Sequence, residues 1–394
     1  MLRALNGATL VEGMTFQPQN NRQAYLAYAC GLLADDFVLP QPRTVEEALM
    51  YNLAVNGSTG GGSGETGGDG DLVITDASHL FDNGARLDSL DALLSKCGKL
   101  KNVSFMFNGC NTGLLNLGIY DLDLSGVDLS EATSAESMFA TCNYLKTIKG
   151  MSRWDTSNIT NMSKMFSSCS ELTELDVSNF NTSKVTDMSS MFANCSKVTE
   201  LDVSNFDTSN VINMSYMFNG CDALTELDVS GFDTSKVTNM GNMFANNDGL
   251  KKLDLSNFDT SKAAAMSYMF SGCVQLEEII GFSATNKAGI SNIFPSGAAS
   301  KNYALKRLTF RTDVENAIRS AINVKYCSFE REGVVEMFNT LTDVSAMGLS
   351  SSYTKISLTG NPCIMGQFAD GTACDLLTDE DRAIATSKGW TLVE

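Results

Sequence analysis

The sequence predicts an α/β solenoid in which each repeat supplies one short parallel strand and one short helical turn, and three observations carry that prediction. The phrase "LDVSNFDTSNVINMSYMFNGC" (201–221) returns nearly unchanged as "LDVSNFNTSKVTDMSSMFANC", "LDVSGFDTSKVTNMGNMFANN" and "LDLSNFDTSKAAAMSYMFSGC". Its "MF" pairs begin at Met138, Met165, Met191, Met217, Met243 and Met269, separated by 27, 26, 26, 26 and 26 residues. A period of this size, sustained this long, marks an array in which each unit contacts mainly its two neighbours. Finally, each copy carries about seven apolar side chains, each worth roughly 1.5–3 kcal/mol when buried, and only a neighbouring copy can cover them.

In chain order, residues 1–56 come first. "NNRQAYLAYACGLL" and "TVEEALMYNLAV" read as two apolar-rich helices, the second opened by Thr44 with Glu47 in capping-box position. So small a unit has a marginal core alone, so it is expected to dock onto a partner or to self-associate as a homo-oligomer. "GSTGGGSGETGGDGD", Gly57 to Asp71, reads as a flexible linker with ends roughly 20 Å apart. The body over 72–394 follows, with regular repeats at about 115–282 and irregular units and a cap over 283–394.

Within a repeat, Leu175 and Val177 alternate with Glu174, Asp176 and Ser178, the period of a strand buried on one face. The polar corner after Phe180 offers side chains that can bond nearby backbone. Val185, Met188, Met191, Phe192 and Cys195 then step by three, three, one and three, which predicts a helix or 3₁₀ turn from near Thr186. Stacking at roughly 4.8 Å would align Phe180, Phe206, Phe232 and Phe258 as a spine beside Leu, Met and Cys columns. "LKRLTF" (305–310) and "YTKISLTGNP" (353–362) read as later strands. "LTDEDRAIATSKGW" reads as a closing helix with Thr378 as N-cap and Gly389 at C′.

The repeat wording "F-D-T-S…M-F…C" over residues 90–282 resembles the leucine-rich repeats of BspA-like surface proteins, the subtype of about 26 residues. The resemblance implies a right-handed curved superhelix, and adhesion to proteins or host cells as the family activity. Neither the signal peptide nor the anchor of those proteins is expected from these residues. Its head, from "MLRALNGATLVEG" on, looks like the N-terminal attachment segments of phage and prophage tail, baseplate or head-fibre proteins, which implies a virion location and contact with virion proteins through residues 1–56. A bacterial cell-surface adhesin, or a decorative virion component without ligand, are the alternative readings.

With 28 Lys and Arg against 46 Asp and Glu, the net charge of −18 disfavours nucleic acid and anionic membrane surfaces as partners. No segment has the run of apolar residues that a membrane span needs. The single histidine, His79, leaves general acid–base catalysis without an obvious base, and neither enzyme activity, cofactor nor resident metal is expected. Cys142, Cys169, Cys195, Cys221 and Cys273 share one repeat position that is Asn247 in the remaining copy, so they read as buried, reduced fillers rather than as ligands. Cys363 and Cys374 form the pair best placed to close a loop. The column Asp155, Asp207, Asp233 and Asp259, with Asn181 in one copy, reads as turn caps, since a cap needs the oxygen and not the charge.

The exposed strand face is the candidate binding face: Glu174 and Asp176, Glu200 and Asp202, Glu226 and Asp228, then Lys252 and Asp254. It reads either as a solvated face that keeps a sheet soluble or as a docking strip. A strip would suit cationic protein or amine-bearing glycan on a bacterial or host cell surface, or Ca²⁺.

Overall fold

The computed structural model describes residues 74–78, 94, 97–110, 120–284, 293, 303–311, 322–325, 327–347, 355–359, 361–367 and 373–393. The expected head at 1–56, the linker at 57–71 and His79 lie outside them. The chain divides into two compact units, Met1–Cys169 and Ser170–Glu394, a division that falls inside the body expected over 72–394.

In the first unit β1 (Ile74–Asp76) pairs parallel with β2 (Cys97–Asn102), and β3 (Asp121–Asp123) with β4 (Thr147–Lys149). In the second, β5 (Lys252–Asp254), β6 (Glu278–Phe282) and β7 (Arg307–Phe310) form one parallel sheet. A second parallel sheet joins β8 (Ile322–Asn323), β9 (Lys355–Ser357) and β10 (Thr391–Val393). Asp121 faces Thr147 and Lys252 faces Glu278, so paired strands sit one repeat apart in sequence. At the equivalent residues 173–177, 199–203 and 225–229 the chain keeps the alternation of buried and exposed side chains without a strand ladder. The alternation is fixed by which side chains reach the core.

The return limb differs from the helix or 3₁₀ turn that its three-residue spacing predicts. Residues 188–195 form overlapping turns: the N–H groups of Met191, Ala193 and Cys195 donate to the carbonyls of Met188, Ser190 and Phe192. The N–H groups between them leave the repeat. Those of Met188, Ser190, Phe192 and Asn194 donate to Asn213, Ser215, Met217 and Asn219 at 2.7–3.0 Å, and the next repeat does the same to Asn239, Gly241, Met243 and Ala245. A helix would direct every N–H along its own axis, whereas here alternate ones bind the neighbouring layer. The spacing of three is common to both arrangements, which is why periodicity could not separate them.

Each such limb needs residues at positive φ, as type II turns do at their third position. One column of these is Ser190, Tyr216, Asn242 and Tyr268, with φ between 55° and 61°, and a second is Asn194, Gly220, Asn246 and Gly272. The left-handed conformation costs an ordinary L-residue roughly 1–2 kcal/mol.

The core lies inside the stacked limbs. Met188, Met191 and Phe192 are fully buried, as are their counterparts in the next three repeats. Phe192, Phe218, Phe244 and Phe270 stack with centroids 5.7, 5.8 and 6.0 Å apart and planes within 11°. In the first unit Phe107, Phe139 and Phe166 do so at 5.4 and 5.6 Å. The aromatic stack is therefore built from the "MF" phenylalanines. Phe206, Phe232 and Phe258 of the expected spine are buried as well, but lie tilted against Phe192, Phe218 and Phe244 at 6.3–6.5 Å.

The cysteine column does more than fill space. The thiols of Cys221 and Cys273 donate to the Phe192 and Phe244 carbonyls of the preceding repeat at 3.2 and 2.9 Å. Asn247 makes the matching bond to Phe218 O at 2.8 Å, adds a second to Phe244 O, and accepts from Cys221 N. Burial pushes the Cys273 thiol up to about 12, so it stays protonated and able to donate. No disulfide joins Cys363 to Cys374, so that pair closes no loop.

The C-terminal part is tied by charge. Helix α1 (Arg331–Thr340) meets α3 (Asp379–Ser387), which follows the short α2 (Pro362–Met365). Arg331 grips Asp381 through two bonds of 2.7 and 3.1 Å. Thr378 is the expected N-cap, Asp381 closes a capping box with it, and Gly389 adopts φ 82° just past the helix. Lys388 Nζ caps α1 through the carbonyls of Phe338, Asn339 and Leu341. No helix among the described residues is long and apolar enough to cross a membrane.

Replacing Asn247 by Ala strands the Phe218 carbonyl and the Cys221 N–H, while Phe244 O keeps the Cys273 thiol as a donor. The loss should be about 2 kcal/mol or more in denaturant unfolding, at roughly 1–3 kcal/mol per unsatisfied group. Asn247→Cys, which restores the donor its sibling repeats use, should recover part of that loss.

Candidate functional site

The alternation that buries Leu175, Val177, Val203, Leu227, Val229 and Leu253 turns the intervening side chains outward. Glu174, Asp176, Glu200, Asp202, Glu226, Asp228, Lys252 and Asp254 are all exposed. All eight candidate residues therefore lie on the solvent side of the strand limb in the second unit. The register of β5 to β7 extends the glutamate column further: Glu278 lies beside Lys252, and Arg307 beside Glu278, each ion pair at 3.7 Å. Arg307 also holds Glu336 of α1 through two bonds of 2.8 and 2.7 Å.

The strip thus has two electrostatic halves. From Glu174 to Asp228 it is wholly acidic. From Lys252 onward, signs alternate and the charges engage one another. Where the halves meet lies an open cleft of about 490 Å³, lined by Glu226, Asp228, Lys251, Lys252 and Asp254 together with Thr225 and Leu227. Arg307 and Glu336 were outside the sequence-derived set because repeat spacing lengthens after Glu278; Glu278 itself lies one regular period beyond Lys252 and was missed although the repeat reaches it. The irregular "EEII" and "LKRLTF" wording was the available signal.

Each aspartate of the strip has a local structural duty. Asp176 Oδ1 accepts from Ser178 N at 3.2 Å and Ser178 Oγ at 2.6 Å, and Asp254 does the same with Ser256 at 3.0 and 2.6 Å. Asp202 and Asp228 accept from Ser204 N and Ser230 N at 3.0 and 2.9 Å. The Ser204 side chain, then its backbone N–H, holds the Asp202 carboxyl below its ordinary range. Ser230 does so for Asp228, and outweighs the repulsion from Asp202 one layer away. Alignment of the aspartates is therefore tolerated because each accepts hydrogen bonds within its own turn.

The second aspartate column is made in the same way. Asp155, Asp207, Asp233 and Asp259 accept from the N–H of Ser157, Ser209, Ser235 and Ser261 at 2.8–3.0 Å, and Asn181 accepts from Ser183 N at 3.1 Å. The turn-cap reading holds for each member. The threonines that follow bond across layers instead: Thr182, Thr208 and Thr234 donate to the carbonyls of Asp207, Asp233 and Asp259 at 2.9–3.0 Å. Among the described residues no three carboxylates, cysteines or histidines converge as a cation site.

The repeat region matches a family described as "Mycoplasma protein of unknown function, DUF285", over residues 101–201 and 192–307, more than half of the chain. The chain belongs to the DUF285 family. That match fits the BspA-like repeat reading of these residues, and it does not extend to the head at 1–56. No curated protein and no solved structure matches the chain.

Acidification tests the role of the Ser–Asp pairs. Carboxylates whose folded pKa is depressed contribute stability that is complete above their unfolded value, near pH 4, and that is lost as pH falls through the lower folded value. The melting temperature should therefore be flat above about pH 5 and decline below about pH 4. Ser204→Ala with Ser230→Ala should melt lower at neutral pH and decline less steeply on acidification.

Proposed function

We propose that this chain is a non-enzymatic recognition protein, a right-handed leucine-rich-repeat-like solenoid that presents its acidic strand face to a cationic partner. The observation that supports this best is the run of exposed carboxylates from Glu174 to Asp228, ending in the open cleft beside Lys252. A face made from equivalent positions of successive repeats is extended rather than pocket-like, and repeat proteins use such surfaces to grip macromolecules. Membership of the DUF285 family supports a surface-type repeat protein. Dense negative charge speeds encounter with basic protein segments or amine-bearing glycans and selects against anionic ones.

The setting that best accommodates the head and linker wording is a phage or prophage virion appendage, with residues 1–56 attached to the particle and the repeats held outward. A bacterial cell-surface adhesin is the alternative. Co-sedimentation of the chain with intact phage particles supports the first. Its recovery with the cell envelope in the absence of particles supports the second.

The strip can be tested without disturbing the fold, because asparagine retains the oxygen that caps each turn, as Asn181 does in its own column. The full chain should bind a soluble chitosan oligomer or polylysine, and the affinity should fall as salt rises. Asp176→Asn, Asp202→Asn and Asp228→Asn together should weaken it about tenfold, at roughly 0.2–1 kcal/mol per exposed charge, with a small drop in melting temperature because the cap keeps its oxygen and loses only its charge. Equal affinity in wild type and triple variant would remove this face from consideration.

A further inference from the structure

The opposite limb of the same repeats has a different chemistry. Residues 185–195, 211–221, 237–247 and 263–273 contain one charged residue among them, Asp187, in a chain that is 19% charged. Apart from Asp187, their exposed and half-exposed positions are filled by Asn, Ser, Thr, Ala, Gly, Ile and Tyr. Two exposed tyrosines stand out, Tyr216 and Tyr268, each 46% exposed.

Both tyrosines occupy a position whose backbone disfavours them. Tyr216 and Tyr268 have φ 58° and 61°. The other left-handed column of the same limbs obeys the backbone, alternating Asn194, Gly220, Asn246 and Gly272, the residue types that tolerate this conformation best. There the Asn194 and Asn246 side chains occupy the space that a Cβ on Gly220 and Gly272 would need. In the tyrosine column, Ser190 and Asn242 alternate with rings that are neither small, nor suited to the backbone, nor buried. Packing does not account for them, and a strained residue kept for its exposed side chain points to function.

The spacing of the rings suggests what they meet. Tyr216 and Tyr268 lie two layers apart, and the phenylalanines two residues further along step by 5.8 and 6.0 Å per layer. The tyrosines are thus about 10–12 Å apart along the stack. In an extended β-linked polysaccharide, alternate sugars present the same face at a comparable interval. The C–H face of a sugar stacks on an aromatic ring, and the amides and hydroxyls between the tyrosines can bond its hydroxyl groups. Tyr with Ser and Asn is the composition that adaptable polar recognition surfaces use. A face without charge on a strongly acidic protein favours an uncharged ligand over an anionic one.

We propose that the turn face of residues 185–273 binds a neutral β-linked polysaccharide running along the stack, with Tyr216 and Tyr268 as platforms for alternate sugars. This face is separate in its chemistry from the acidic strip and does not depend on it.

The test is affinity electrophoresis of the full chain through gels containing hydroxyethylcellulose, barley β-glucan, arabinoxylan, galactomannan or, as the anionic control, polygalacturonate. At least one neutral polymer should retard the protein. The retardation should persist when salt is raised and weaken about tenfold or more in Tyr216→Asn with Tyr268→Asn, the loss expected of two aromatic contacts. The same variant should melt no lower than wild type, because Asn relieves the left-handed strain. Retardation by no neutral polymer, or equally in the variant, overturns the proposal, as does retardation only by polygalacturonate that salt abolishes. A lower melting temperature in the variant would make the tyrosines structural. A change from dimer to monomer in sedimentation velocity, with no polysaccharide bound, would assign the face to a second copy of the chain.

Discussion

The constraint on which the rest depends is that half of the backbone N–H groups in the turn limbs at 188–195, 214–221 and 240–247 have their acceptors in the next repeat. Met188, Ser190, Phe192 and Asn194 donate outward, while Met191, Ala193 and Cys195 close turns inward. A buried N–H without an acceptor costs about as much as a lost hydrogen bond, so an isolated repeat could not keep this conformation. The same geometry brings equivalent side chains one above another, which is why the phenylalanines stack and why a thiol of one repeat reaches a carbonyl of the one before. Backbone pairing and core packing are therefore two consequences of one arrangement.

This arrangement explains what varies and what does not among the copies. Inside, a side chain must satisfy both a volume and a donor: Cys and Asn are exchanged at position 247 because each can donate to the phenylalanine carbonyl beneath it. At the corners, Asp and Asn are exchanged because only the oxygen matters. On the strand face and the turn face, by contrast, outward positions are released from the fold, apart from the aspartate oxygen each turn uses. There the sequence is free to answer to a partner. Charge collects on one face and is nearly absent from the other, a segregation that stacking alone does not require.

Much of this was legible in the sequence, and the exceptions have physical reasons. The period placed equivalent residues, and alternation correctly turned Glu174 to Asp254 outward, because both depend only on which side chains can reach a core. The limb read as helical because a spacing of three cannot reveal where the intervening N–H groups point. Phe180 and its counterparts were given the role that falls to Phe192, Phe218, Phe244 and Phe270, since burial alone does not say which ring faces its own copy. The thiol–carbonyl bond was invisible for a similar reason, although the Cys-to-Asn exchange hinted at a donor. The significance of Tyr216 and Tyr268 rests on a φ angle, which no residue letter carries.

The most direct test of the account removes one whole layer. Deletion of residues 197–222 takes out one repeat and joins Ser196 to Ala223, so every outward N–H again meets an equivalent acceptor. Deletion of 197–209, half as much chain, throws the limbs out of register. The account predicts that the first variant unfolds in a single cooperative transition at a modestly lower denaturant midpoint, and that the second loses that transition. If the full-repeat deletion were as disruptive as the half-repeat deletion, layer-to-layer bonding would not be what holds these repeats together.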